Sequence, residues 1–96
     1  MSHGFEIPTK KVSATADYFE WMHYSQDSKG NIDYAECADV VTRFRPKMVT
    51  AGFSSYTRNF DYKRLREISD TVGAYLLSDM AHISGLVATG NAPSPF

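Results

Sequence analysis

The sequence predicts an α/β fold, a partial parallel sheet with flanking helices. Three observations lead there. Residues 47–52 and 74–78 are short apolar runs with the length of buried strands rather than helices. Each is preceded by apolar residues at helical spacing behind an aspartate suited to cap a helix. A third run, residues 12–24, is rich in β-branched and aromatic side chains and predicts an earlier strand. The order strand, helix, strand, helix, strand is that of a parallel sheet with crossover helices.

Taken in chain order, Pro8 and the run Thr9-Lys10-Lys11 read as a loop. The first strand is expected over residues 18–22, and residues 25–31 (SQDSKGN) as a polar turn. Asp33 opens a helix, and Glu36 three residues later makes a capping-box-like pair with it. Tyr34, Cys37, Ala38, Val41 and Phe44 line one face, and Pro46 ends the segment. Residues 47–52 form the second strand and 53–59 a loop. Asp61 caps a second helix with the stripe Tyr62, Leu65, Ile68 and Val72. Gly73 suits the left-handed position just past that helix. Residues 74–78 form the third strand, closed by Asp79. Residues 80–89 read as a short helix or helical turn and 91–96 as a loop.

Ninety-six residues allow one small domain, numbered 1–96. The chain is 43% hydrophobic, 22% charged and 14% aromatic, a composition that argues against disorder. Net charge is −1 and no basic block stands out, which excludes a nucleic-acid function on electrostatic grounds. No apolar run approaches a membrane span, and the first residues lack the pattern of a secretory signal. Cys37 is the single cysteine, so no internal disulfide forms, which suits a reducing compartment such as cytosol or mitochondrial matrix.

In parallel sheets, ligands bind just past the carboxyl ends of strands. Two segments meet that rule: Phe53-Ser54-Ser55-Tyr56 and Asp79-Met80-Ala81-His82. By spacing alone, Asp79 reads first as a cap for the helix after it. Ser54, Asp79 and His82 do occur in the chain order of an α/β-hydrolase triad. However, Gly52-Phe53-Ser54-Ser55-Tyr56 has tyrosine where the nucleophile elbow has its second glycine. His3, His23, Cys37 and His82 lack metal-ligand spacing, and Cys37 on the apolar stripe reads as a small buried hydrophobe.

Asp79-Met80-Ala81-His82-Ile83-Ser84-Gly85-Leu86-Val87-Ala88 resembles a highly specific segment of serine hydroxymethyltransferases. Pro93-Ser94-Pro95-Phe96 resembles the P-S-P-F that follows it in eukaryotic members. Arg45-Pro46-Lys47, Ala51-Gly52-Phe53-Ser54-Ser55-Tyr56, Asp61-Tyr62 and Arg66-Glu67-Ile68 are similar to further family stretches. So are Ser2-His3-Gly4-Phe5 and Lys11-Val12-Ser13-Ala14-Thr15. The likeness runs nearly end to end.

The resemblance implies the large domain of an aspartate-aminotransferase-like (fold type I) enzyme that uses pyridoxal 5'-phosphate. Such enzymes carry the hydroxymethyl carbon of serine to tetrahydrofolate, leaving glycine and methylenetetrahydrofolate in one-carbon metabolism. It implies a cytoplasmic or mitochondrial homodimer or homotetramer. It assigns Asp79 to the cofactor's protonated pyridine nitrogen and Ser54 to its phenolic oxygen. His82 falls beside that oxygen and the substrate carboxylate. The family's Schiff-base lysine lies in a T-T-T-T-H-K run beyond the position of Phe96, and its ring-stacking histidine lies before [TS]-H-G, here Ser2-His3-Gly4. No catalytic set is therefore complete, and the chain alone is expected to be inactive. The alternative is a catalytically dead remnant acting as a structural or interaction module, with open sheet edges available for pairing. His23 and Trp21 stand where many members have proline and serine. Thr89 and Asn91-Ala92 depart from the pattern as well.

Overall fold

The computed structural model describes residues 6–7 and 9–96. Pro8, His3 and the Ser2-His3-Gly4-Phe5 stretch lie outside them. Glu6–Ile7 (β1) pairs antiparallel with Lys10–Lys11 (β2), in the register Glu6 with Lys11 and Ile7 with Lys10. Lys10 and Lys11 are thus strand where a loop was expected. Pairing so close in sequence requires little loop closure.

The expected first strand is not formed. Its place is taken by a short helix, Ala14–Tyr18 (α1), followed by an irregular segment through Ser25. Ala14, Ala16 and Asp17 favour a first helical turn, and Ala16 is buried. The Phe19 N–H and the indole N–H of Trp21 both donate to the Thr15 carbonyl, at 3.1 Å each. Tyr18 and Phe19 are exposed and only Trp21 and Tyr24 are half-buried, so the aromatic composition marked no ladder.

Helix α2, Tyr34–Phe44, starts as its sequence dictates. The Asp33 carboxylate accepts the N–H groups of Ala35 and Glu36 at 3.0 and 2.9 Å. Glu36 does not close the box on Asp33. It accepts the Ser25 N–H at 2.8 Å, tying the irregular segment to the helix, while the Asp33 N–H donates to the Ser25 carbonyl. Arg45, in the left-handed conformation at φ 49°, ends the helix just before Pro46. Cys37, Val40 and Val41 are buried; Tyr34, Ala38 and Phe44 are half-buried.

Strand β3, Met48–Ala51, leads through α3, Tyr62–Asp70, to strand β4, Tyr75–Ser78. The strands pair in parallel: Met48 with Tyr75, Val49 with Leu76, Thr50 with Leu77, Ala51 with Ser78. A parallel pair needs such a crossover. Asp61 caps α3 by accepting the Arg64 N–H at 3.0 Å. Tyr62, Leu65, Ile68 and Ser69 are buried on it, and Val72 packs beside them from the following turn. Gly73 takes φ 70° as expected.

The core joins Cys37 and Val41 of α2, Val49 and Ala51 of β3, and Leu65 and Ile68 of α3, with Phe60, Ile32 and Ala74. Val49 and Ala51 face it. Met48, Tyr75 and Leu77 are exposed. The expectation of strands buried on both faces therefore fails, because side chains alternate and the described helices cover one face. The final helix, α4, is Ser84–Ala88, shorter than residues 80–89. Among the described residues, no helix is long and apolar enough to cross a membrane.

Candidate cofactor site at the strand ends

Both strands of the parallel pair end on the residues that the sequence singles out. The ladder extends one step beyond β4, where the Asp79 N–H donates to the Ala51 carbonyl at 2.8 Å. This bond holds the start of the Asp79 turn against the end of β3. Gly52 comes next on β3, with φ 145°. A Cβ on Gly52 would lie 2.1 Å from the Asp79 carbonyl oxygen and 2.8 Å from the Asp79 Cβ. Only glycine lets the two strand ends approach so closely.

The Asp79 carboxylate accepts the Ala81 N–H through Oδ1 at 3.1 Å, which stabilises the turn after β4; it does not cap the final helix as spacing suggested, because α4 starts later, with Ile83 as its N-cap. The side chain is otherwise exposed on an open cavity of about 520 Å³. Ser54, on the loop after β3, and His82, on the turn before α4, line the same cavity and are exposed. All three candidate residues therefore line one cavity. Among the described residues no hydrogen bond links Ser54, His82 and Asp79 into a nucleophile relay, so the hydrolase reading finds no support. The described residues also contain no group of three or more His, Cys, Asp or Glu side chains that could hold a metal ion.

The cavity wall comes from two further segments. One is the loop after β3, built on aromatic contacts. The Phe60 ring lies 4.9 Å from that of Tyr56 and 5.6 Å from that of Tyr62, and stacks on Phe53 at 6.2 Å. The other is residues 21–24. Tyr24 donates its hydroxyl to the Thr50 carbonyl at 2.9 Å. The Lys47 and Ala51 carbonyls face β4, so by alternation this bond satisfies the opposite edge of β3. Burial pushes the Tyr24 phenol well above its ordinary value, with Cys37 and Tyr34 nearby adding to the rise. Cys37 beneath is likewise pushed up, to about 11, chiefly by burial. It is a buried hydrophobe, as its place on the stripe implied.

Sequence reasoning missed residues 21–24 and Arg58 as cavity lining. The one signal pointing to the former was that Trp21 and His23 depart from the family pattern.

The family model described as serine hydroxymethyltransferase matches residues 1–96. The chain belongs to the serine hydroxymethyltransferase family. It is 55% identical over its full length to "Serine hydroxymethyltransferase" of Bombyx mori, of which it covers 21%. It is 53% identical to "Serine hydroxymethyltransferase, cytosolic" of Candida albicans, covering 21%. Against "Serine hydroxymethyltransferase, mitochondrial" of Schizosaccharomyces pombe the figures are 52% and 20%. All of this chain aligns in each case, and it spans about a fifth of the length of these curated relatives. The fold described above, a small α/β arrangement with one parallel strand pair, is compatible with that family.

Proposed function

We propose that residues 1–96 form a partial domain from the large, fold type I domain of a serine hydroxymethyltransferase, and that its cavity holds one face of pyridoxal 5'-phosphate. The family membership supports this reading. The observation that carries it is the convergence of Asp79, Ser54 and His82 on one cavity at the strand ends. Such a site is where a parallel sheet binds ligands, and its volume lies within the range of small-molecule pockets.

The donor set fits the cofactor. A carboxylate with one oxygen committed to the Ala81 N–H keeps a second oxygen for a cationic ring nitrogen. A hydroxyl and an imidazole suit a phenolic oxygen. Aromatic side chains around the cavity suit a flat ring. When bound, pyridoxal 5'-phosphate supplies an electron sink for a carbanion next to the substrate amine.

The chain's own residues act as follows. Asp79 holds the proton on the pyridine nitrogen, because a neighbouring anion favours the charged form of that nitrogen. Gly52 fixes where Asp79 stands. Ser54 donates to the phenolic oxygen, and His82 orients that oxygen and the substrate carboxylate. The reaction served is transfer of the serine hydroxymethyl carbon to tetrahydrofolate, giving glycine and methylenetetrahydrofolate. Its covalent lysine is not among these residues, so this segment orients and does not complete the reaction. A cytosolic or mitochondrial homodimer or homotetramer is the setting this reading implies, and the buried thiol of Cys37 accords with a reducing compartment.

Trp21, the one tryptophan, lines the cavity and reports on binding through its fluorescence. Titration with pyridoxal 5'-phosphate should quench it saturably. Asp79→Ala should weaken that binding roughly tenfold, the loss of one charge-assisted contact. Equal affinity in the variant would refute the assignment of Asp79.

A further inference from the structure

The loop that carries Ser54 has aromatic contacts of its own but little backbone hydrogen bonding. Among the described residues, the one backbone hydrogen bond between Phe53 and Asn59 runs from the Tyr56 N–H to the Phe53 carbonyl, at 3.3 Å. Polar support comes from a segment nearly thirty residues earlier. Arg58 spans two consecutive carbonyls, donating from Nη2 to Lys29 at 2.8 Å and from Nη1 to Gly30 at 3.2 Å. The Tyr56 hydroxyl accepts the Ile32 N–H at 3.2 Å.

The partner of this clasp is itself prebuilt. The Asp27 carboxylate accepts the backbone N–H groups of Lys29 and Asn31, each at 2.8 Å, and the Asn31 side-chain amide at 3.1 Å. These bonds, those of Asn31 first, hold the Asp27 carboxyl below its ordinary value. Gly30 takes φ 76°, and a Cβ there would lie 3.1 Å from Arg58 Nη1. The turn thus offers two carbonyls in a fixed direction and leaves room for the guanidinium. A planar fork fits two adjacent carbonyls, whereas a lysine ammonium is a point charge that does not.

We propose that Arg58 is a positioning residue: by clasping the Asp27–Asn31 turn it fixes the loop after β3 and so holds Ser54 at the mouth of the cavity. The part of this inference that concerns a ligand rests on the cofactor reading above. The part that concerns the loop does not.

Two measurements on the chain separate these parts. Chymotrypsin cuts after aromatic residues, so nicking at Phe53 and Tyr56 reads the order of the loop. Arg58→Ala, Arg58→Lys and Gly30→Ala should each speed this nicking about fivefold to tenfold, with cleavage elsewhere unchanged. Unchanged nicking in all three overturns the clasp, whatever the cavity binds. The second measurement is pyridoxal 5'-phosphate affinity, read by Trp21 fluorescence, in a double-mutant cycle of Arg58→Ala with Ser54→Ala. Arg58→Ala should weaken binding about fivefold when Ser54 is present and add nothing when it is absent. Additive losses would make Arg58 a structural residue only and overturn its role toward Ser54. An Asp79→Ala variant that binds as tightly as the parent would instead refute the cofactor reading, leaving the nicking result to decide the clasp.

Discussion

Replacing Gly52 by alanine tests whether the two strand ends are locked together by the absence of a side chain. The added Cβ would stand 2.1 Å from the Asp79 carbonyl oxygen and 2.8 Å from its Cβ. The first is a backbone atom and the second is bonded to the backbone, which the ladder bond from the Asp79 N–H to Ala51 holds in place. Restoring ordinary contact, at 3.4 Å, requires Asp79 to retreat by about 1.3 Å (3.4 − 2.1). The φ of 145° adds a conformational cost, because L side chains rarely adopt it. Overpacking and backbone strain together come to about 3 kcal/mol or more. That is a large fraction of the roughly 5–15 kcal/mol that stabilises a domain.

Urea denaturation of Gly52→Ala beside the parent chain reads this cost. Gly85→Ala is the control: a Cβ there meets nothing within 4 Å. It should change stability by less than about 1 kcal/mol, in the stabilising direction expected for a helix interior. Gly52→Ala should shift the midpoint strongly downward and also weaken pyridoxal 5'-phosphate binding, since it displaces Asp79. A Gly52→Ala chain with the parent's midpoint and affinity would refute the claim that this close approach positions the carboxylate.

Two other outcomes follow from the core. Leu65 is fully buried at 0% exposure, so Leu65→Ala should lower unfolding stability by about 2–5 kcal/mol, measured by the same denaturation. Stability should also fall in alkali. Cys37 is raised from 9.0 to about 11, and Tyr24 is raised from 10.0, both chiefly by burial. Above pH 9 the unfolded thiol ionises while the folded one stays neutral, so protons are released on unfolding and stability declines as pH rises from about 9 to 11. A flat profile over that window, or an undiminished decline in a variant carrying both Cys37→Ala and Tyr24→Phe, would contradict the burial argument.

Much of the fold was legible because its signals are local. Asp33 and Asp61 cap helices through their own carboxylates, and Gly73 takes a positive φ, each within a few residues of the feature it controls. The strands β3 and β4 were legible as apolar runs bounded by Pro46, Gly52, Gly73 and Asp79. The family, too, was readable in the run from Asp79 to Ala88, and the full-length match bears it out. The segment from residue 12 to 24 was misread. Among the described residues its β-branched and aromatic side chains belong to no ladder, and Ala14, Ala16 and Asp17 turned its first part into a helix.

What the sequence by itself determined was the capped helices, the two strands between them and the family to which the chain belongs. Each is written in residues that are neighbours in the chain, so backbone preference and periodicity suffice to read it. Tertiary structure alone decided that Trp21 and Tyr24 wall the same cavity as Asp79, that Glu36 turns to Ser25, and that Arg58 reaches the carbonyls of Lys29 and Gly30. Those arrangements bring together residues 11 to 58 positions apart, and no local pattern encodes which distant groups a packed core gathers.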